Sequence, residues 1–143
     1  MAATPEFDEI RDNLELFDGW EDRYRYIIDL GRDLPPLDEA RRSDATKVEG
    51  CASQVWLVPE LEEGASGTVL RFEGDSDAMI VRGLIAVLIS LVSGRSLEEI
   101  QAMDIRAELA ALELDQALSA QRSNGLRAMV TRIEDIARSA RVA

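Results

Sequence analysis

Histidine is absent from this 143-residue chain, cysteine occurs once, as Cys51, and lysine once, as Lys47. Without histidine there is no Ser-His-Asp triad, no Cys-His dyad and no imidazole to move protons near neutral pH. One thiol without histidine cannot assemble a zinc site or a cysteine-ligated iron–sulfur cluster within the chain. No internal disulfide can form. Long apolar runs are missing too. The longest, Leu84 to Val92, is interrupted by Ser90 and falls well short of the ~20 residues of a membrane span. Residues 1–6 (MAATPE) lack the basic and apolar regions of a signal peptide, so the cytoplasm is the expected compartment. Positive charge is scarce: 16 Lys+Arg against 28 Asp+Glu give a net charge of −12. That balance opposes nucleic acid and anionic membranes, and favours a protein partner with a complementary basic surface.

What remains is carboxylate, arginine and single-thiol chemistry on a chain that is 46% hydrophobic, enough for the core of one domain spanning 1–143. The acidity is uneven, and residues 122–143 carry five Arg against two acids. This basic end balances the acidic body or meets a partner. Thr4-Pro5 predicts a helix start, with Phe7, Ile10, Leu14 and Phe17 on its inner face. Asp18-Gly19-Trp20-Glu21 has capping-box spacing for a second helix, with Trp20, Tyr24, Ile27 and Ile28 inward and a stop at Gly31. Leu34-Pro35-Pro36 forbids helix, leaving 32–50 as loop with a short turn at 38–42.

Residues 51–58 (CASQVWLV) predict a strand stopped by Pro59. Residues 62–67 read as a turn and 68–73 (TVLRFE) as the returning strand. Lys47-Val48-Glu49 either extends the first strand or forms a third. Ser76 is placed to cap a nearly all-apolar, buried helix over 77–93, with Asp77 in its first turn and Gly94 at its end. A capping box at Ser96–Glu99 opens a short helix; Ile105, Leu109 and Leu112 mark another. Leu126, Met129, Val130, Ile133, Ile136, Ala137 and Ala140 stripe the last one. The order ααββαααα predicts an α+β fold, a small antiparallel β-sheet packed against helices.

Cys51 is the strongest nucleophile available. A lone Cys is commonly a small buried hydrophobe. This one follows Gly50 at a loop-to-strand junction and precedes the small or polar Ala52, Ser53 and Gln54. A thiolate attacks a disulfide or persulfide sulfur without a paired base, so the missing histidine favours thiol exchange over hydrolysis. Other constellations are weaker. The acid pairs Glu62-Glu63 and Glu98-Glu99 sit in a turn and a capping box, and the Gly74-Asp75-Ser76-Asp77 turn lacks phosphate-loop spacing.

The segment Lys47–Leu57 (KVEGCASQVWL) resembles the signature of the SufE family, which includes the paralogous CsdE proteins. Residues 72–78 (FEGDSDA), 80–86 (IVRGLIA), 122–126 (RSNGL) and 20–30 (WEDRYRYIIDL) match in order. The resemblance implies a fold shared with IscU scaffolds and a role in iron–sulfur cluster assembly. It implies a PLP-dependent cysteine desulfurase of the SufS or CsdA type as partner, with an iron–sulfur scaffold complex downstream. Cys51 would accept persulfide sulfur and stimulate the partner's turnover, as an activator more than a stand-alone enzyme, with no cofactor or metal of its own. Gly50, Ser53 and Gln54 would shape the Cys51 loop. Asp77 would bear on loop mobility and docking, and Arg122 would steer the partner or stabilise thiolate; a helix-start charge and a surface Arg preceding a helix are their plainer readings. Ala120-Gln121 stands where the family often has Pro-Ser, Arg82 replaces a common Lys, and Thr46 lies where Asn is frequent. Two other readings stay open: a binding module that regulates a partner around a buried Cys51, and a thiol peroxidase, disfavoured by the absence of a resolving Cys.

Overall fold

Pro5, whose missing N–H costs nothing in a first turn, opens α1 (Pro5–Glu15), with Phe7, Ile10 and Leu14 buried as the spacing requires. The computed structural model describes residues 5–50, 54–64, 67–114 and 118–140, so the expected Thr4 cap lies outside them. The remaining elements are α2 (Trp20–Arg32), a 3-10 turn at Glu39–Arg41, β1 (Val55–Gly64), β2 (Gly67–Ser76), α3 (Met79–Val92), β3 (Arg95–Ser96), α4 (Leu97–Ala102), α5 (Ile105–Ala110) and α6 (Ala120–Ala140). The class is α+β: six helices around a three-stranded antiparallel sheet in the order β1-β2-β3, among the described residues.

The apolar α3 is the hub. Ile80, Val81, Leu84, Ile85, Val87, Leu88, Leu91 and Val92 are all buried, and the helix packs on α2 and β2 while touching α1 and α6. Its approach to α2 is close enough to exclude side chains. A Cβ on Gly83 would stand 2.0 Å from the Ile27 carbonyl oxygen, and one on Gly31 would stand 2.7 Å from the Gly83 nitrogen. Gly31 therefore does not stop α2, as its sequence position suggested. The helix runs through it to Arg32, and the glycine serves packing. The Asp18 capping box does not form either: Gly19 is the N-cap, without a side-chain bond. Trp20, expected inward, is 56% exposed.

The hairpin is longer than its sequence signals. β1 runs through Pro59, and β2 includes Gly74-Asp75-Ser76, read above as a turn. Pro59 is tolerated for a geometric reason. Its register partner Phe72 points its N–H away from β1, to Ser93 Oγ at 3.0 Å. The missing N–H of Pro59 therefore belongs to the outer edge, where no ladder bond is lost. Residues 59–64 are exposed, and Glu60, Glu62 and Glu63 put charge on this protruding edge, which discourages strand addition. The two-residue β3, absent from the expected order, pairs Arg95 with Leu70 and Ser96 with Val69. The Ser96 capping box forms as predicted, with Ser96 Oγ accepting from Glu99 N at 3.1 Å.

Candidate functional site

Cys51, Ala52 and Ser53 lie outside the described residues, but both flanks of the segment are placed. On the amino side, residues 46–48 turn back along the outer edge of β1. Val48 N–H donates to Val55 O at 2.8 Å, Leu57 N–H donates to Thr46 O at 2.9 Å, and Lys47 bridges antiparallel to Trp56. Of the two alternatives for 47–49, the third pairing is thus the one formed. Thr46, given no role above, closes the preceding turn: its Oγ1 donates to Arg41 O at 2.8 Å and accepts from Ser43 N at 3.1 Å. Gly50 has φ +92, a left-handed conformation open to glycine at little cost, and a Cβ there would lie 3.3 Å from Ala128 Cβ on α6.

On the carboxyl side, Gln54 and Asp77 hold each other. Gln54 N–H donates to Asp77 Oδ1 at 3.1 Å, and Asp77 N–H donates to Gln54 O at 3.3 Å. Asp77 is therefore not in the first turn of a helix. The helix starts two residues later, at Met79 with Ala78 as N-cap, and Ser76 Oγ accepts from Ala78 N–H at 3.2 Å from the end of β2. The carboxylate of Asp77 serves the Cys51 flank in place of a helix dipole. Arg122 lies inside the first turn of α6, two residues after its start at Ala120, rather than ahead of the helix. Its guanidinium sits 5.9 Å from the Tyr24 ring centre and donates to Tyr24 Oη at 3.2 Å. Gly50 and Gln54 thus flank residues 51–53, with Gln54 bonded to Asp77, whereas the described bonds of Arg122 tie α6 to α2.

Behind this region lies a charged cluster that no local pattern announced. Asp75, fully buried, accepts from Leu37 N–H (3.0 Å) and Arg42 Nη2 (2.6 Å) on one oxygen, and from Ser76 N–H (2.8 Å) and Arg82 on the other. Burial alone would push its pKa up. The two backbone N–H groups and the two guanidinium groups outweigh that and hold it below the usual carboxylate range. Arg42 also stacks 5.2 Å from the ring centre of Trp56, which is half-buried rather than a core residue. Arg82 continues to Gly31 O (3.1 Å) and Leu34 O, and Arg41 bonds Glu60 and Glu73. Residues 37–48 are therefore tied along their length to the sheet. The only available signal was the crowding of Arg41-Arg42 before the Cys51 segment and the Asp at 75; their partners are 33 residues apart for Arg42 and Asp75.

Among the described residues no group of three His, Cys, Asp or Glu is placed to hold a metal ion, and no helix is long and apolar enough to cross a membrane. A cavity of about 330 Å³ between α5 and α6 has an apolar floor of Leu109, Leu126 and Val130, with Arg106 and Arg127 at its rim.

Comparison with known proteins accounts for most of the chain. Residues 8–137 match the SufE family model, described as an Fe-S metabolism associated domain. An uncharacterized SufE-like protein of Rhizobium etli is 49% identical over 131 residues, covering 92% of this chain and 88% of its own. Another, from Rhizobium meliloti, is 47% identical over 127 residues, covering 89% and 91%. The solution structure of a hypothetical protein from Thermus thermophilus superposes with a TM-score of 0.77, covering 99% of this chain and all of its own. At 17% identity it speaks for the fold alone.

Proposed function

The chain belongs to the SufE family, whose domain is associated with Fe–S metabolism, and on that premise we propose that Cys51 accepts sulfane sulfur from a PLP-dependent cysteine desulfurase and relays it for cluster assembly. The observation that carries this reading is the framing of residue 51. A left-handed Gly50 stands on one side, and a Gln54 doubly bonded to Asp77 stands on the other. A single thiol is carried between two fixed points, with small or polar neighbours and no histidine to run hydrolysis.

The chemistry is a thiol exchange without net redox change. The Cys51 thiolate attacks the outer sulfur of the persulfide on the partner's cysteine. The sulfur–sulfur bond to the partner breaks, a new one forms at Cys51, and the partner's cysteine leaves as thiolate to take up the proton that Cys51 gave. Removing sulfur frees the partner for another turnover, so the protein acts as its cosubstrate. With one Cys and no His, the chain passes sulfur on to a scaffold rather than building a cluster itself. No second cysteine is present to resolve the persulfide into an internal disulfide.

Incubation with a cysteine desulfurase and cysteine should add the mass of one sulfur atom to the wild-type chain and nothing to Cys51→Ser. The variant should also lose the stimulation of desulfurase turnover under limiting reductant while its circular dichroism is unchanged. Stimulation by Cys51→Ser equal to wild type would refute the transfer role and favour a docking module with an inert thiol. Resistance of native Cys51 to iodoacetamide would point the same way.

A further inference from the structure

The amino-side flank of the Cys51 segment has one row of backbone groups committed to β1 and another that faces away from it. Thr46 O and Val48 N–H point to the strand. Successive residues of an extended chain alternate direction, so the carbonyl of Lys47 points outward, where a lone arm would leave it unpaired. One side chain takes it up. Arg132 of α6 donates from Nη1 to Lys47 O at 3.1 Å and from Nη2 to Ala45 O at 2.6 Å. Its two nitrogens stand where a neighbouring strand would have supplied N–H groups. Ala128, one turn earlier on α6, is the residue that meets Gly50. The helix beneath is immobilised by Met129, Val130 and Ile133, all buried. Asp135, the acid one turn on, is engaged by Arg138, so the Arg132 fork is left to the main chain.

We infer that Arg132 is a positioning residue for Cys51: it acts as a surrogate edge strand that fixes 45–48 against β1 and sets where the chain enters residue 51. The positioning claim stands on the backbone bonds, and its consequence for sulfur uptake rests on the acceptor reading above. The geometry calls for a guanidinium. A lysine ammonium is a single point and cannot span two carbonyls two residues apart with the same planar fork. The neighbouring Asp77 clamp acts on the other side of Cys51, so the two devices are separable.

The test is amide hydrogen exchange on the full chain with Arg132→Gln and, because it keeps the charge, Arg132→Lys. Exchange at Val48 and Leu57 should accelerate about tenfold in Arg132→Gln and by less in Arg132→Lys, while Gln54, held by Asp77, keeps its protection. Alkylation of Cys51 by iodoacetamide should quicken with the midpoint of its pH profile unmoved. Unchanged exchange at Val48 and Leu57 overturns the inference. So does a midpoint displaced in Arg132→Gln and restored in Arg132→Lys, which would make the residue an electrostatic partner of the thiol. If Arg132→Gln does not fold, Arg132→Lys alone decides by the same two amides. Sulfur uptake from a desulfurase is read separately. A wild type that never gains sulfur sinks the acceptor reading and leaves the exchange result standing; normal uptake with unmoved exchange sinks only the role of Arg132.

Discussion

Asp75→Asn is the sharpest probe of how the Cys51 region is held, because the replacement keeps shape and removes one acceptor. Each Asp75 oxygen serves one backbone N–H and one guanidinium: Leu37 and Arg42 on Oδ2, Ser76 and Arg82 on Oδ1. An amide keeps one of these sets and turns an NH₂ group on the other, so a donor faces two donors in a buried site. Removing one partner of a buried ion pair costs about 3–5 kcal/mol. The arginines are not equally trapped: the Arg42 side chain is 34% exposed and that of Arg82 15%. Water can re-solvate Arg42, and the loss belongs near the lower bound, about 3 kcal/mol. With a urea m-value of about 2 kcal/mol/M, the midpoint falls by roughly 1.5 M, at an unchanged m-value.

The dependence on pH supplies a second arm. The pKa of Asp75 is lowered in the folded state, so its contribution is complete above the unfolded value of about 3.9 and is lost as pH falls through the lower folded value. Asn has no such titration. Urea midpoints of wild type and Asp75→Asn should differ most at neutral pH and converge in acid. A midpoint change under about 0.5 M at pH 7, or a gap that widens in acid, would refute the idea that the ionised carboxylate anchors residues 37–42 to the sheet.

Two further substitutions test the packing around it. Arg82→Lys exchanges a fork that reaches Gly31 O, Leu34 O and Asp75 for a single ammonium, and should cost about 1–2 kcal/mol in urea unfolding; a neutral result would mean lysine reproduces the contacts. Gly83→Ala drives a Cβ to within 2.0 Å of the Ile27 carbonyl oxygen. Backbone must move, so the loss should be about 3 kcal/mol or more, visible as a fall in Tm of roughly 10 °C, and an unchanged Tm would show that the α2–α3 crossing is looser than drawn.

Elements marked by local chemistry were legible in the sequence: α1 buries Phe7, Ile10 and Leu14, though it ends before Phe17, the apolar α3 forms from Met79 instead of Asp77, the Ser96 capping box forms, and α6 buries Leu126, Met129, Val130, Ile133 and Ala137. What misled were residues whose local meaning is overridden by distant partners. Pro59 usually ends a strand, yet here it faces the free edge of β1. Gly31 usually ends a helix, yet here it admits α3. Gly74-Asp75-Ser76 has turn composition, yet pairing with Val55–Leu57 keeps it extended, and Asp75 finds its counter-charges in a loop and a helix. The candidate site divides the same way. Of the residues named around Cys51, Gln54 and Asp77 are bonded to each other, while Gly50 lies against Ala128 of α6. Arg132 carried no signal, because its acceptors are main-chain carbonyls 85 and 87 residues away, which no side-chain pattern records.

Main-chain acceptors also bear on the chain's one-sided choice of cation, a single lysine among 16 basic residues. Arg23 reaches Leu112 O and Phe17 O, just past the ends of α5 and α1. Arg82 reaches Gly31 O and Leu34 O at the end of α2, and Arg95 reaches Leu91 O at the end of α3. The last carbonyls of a helix lack intrahelical donors and carry its negative dipole end. A guanidinium answers both needs and can still bind a second group, as Arg82 does with Asp75. Arg23, Arg82 and Arg95 are thus committed to the chain's own main chain, and Arg132 extends the same use to the segment that carries Cys51. Surface positive charge available to a partner is smaller than the composition of residues 122–143 suggests, since Arg132 and Arg138 are engaged within the fold. Attraction to the proposed desulfurase partner should then rest on the acidic body of the chain. Raising salt should weaken desulfurase stimulation through the association step, with KM rising and kcat held; salt-independent KM would place the contact on apolar surface instead.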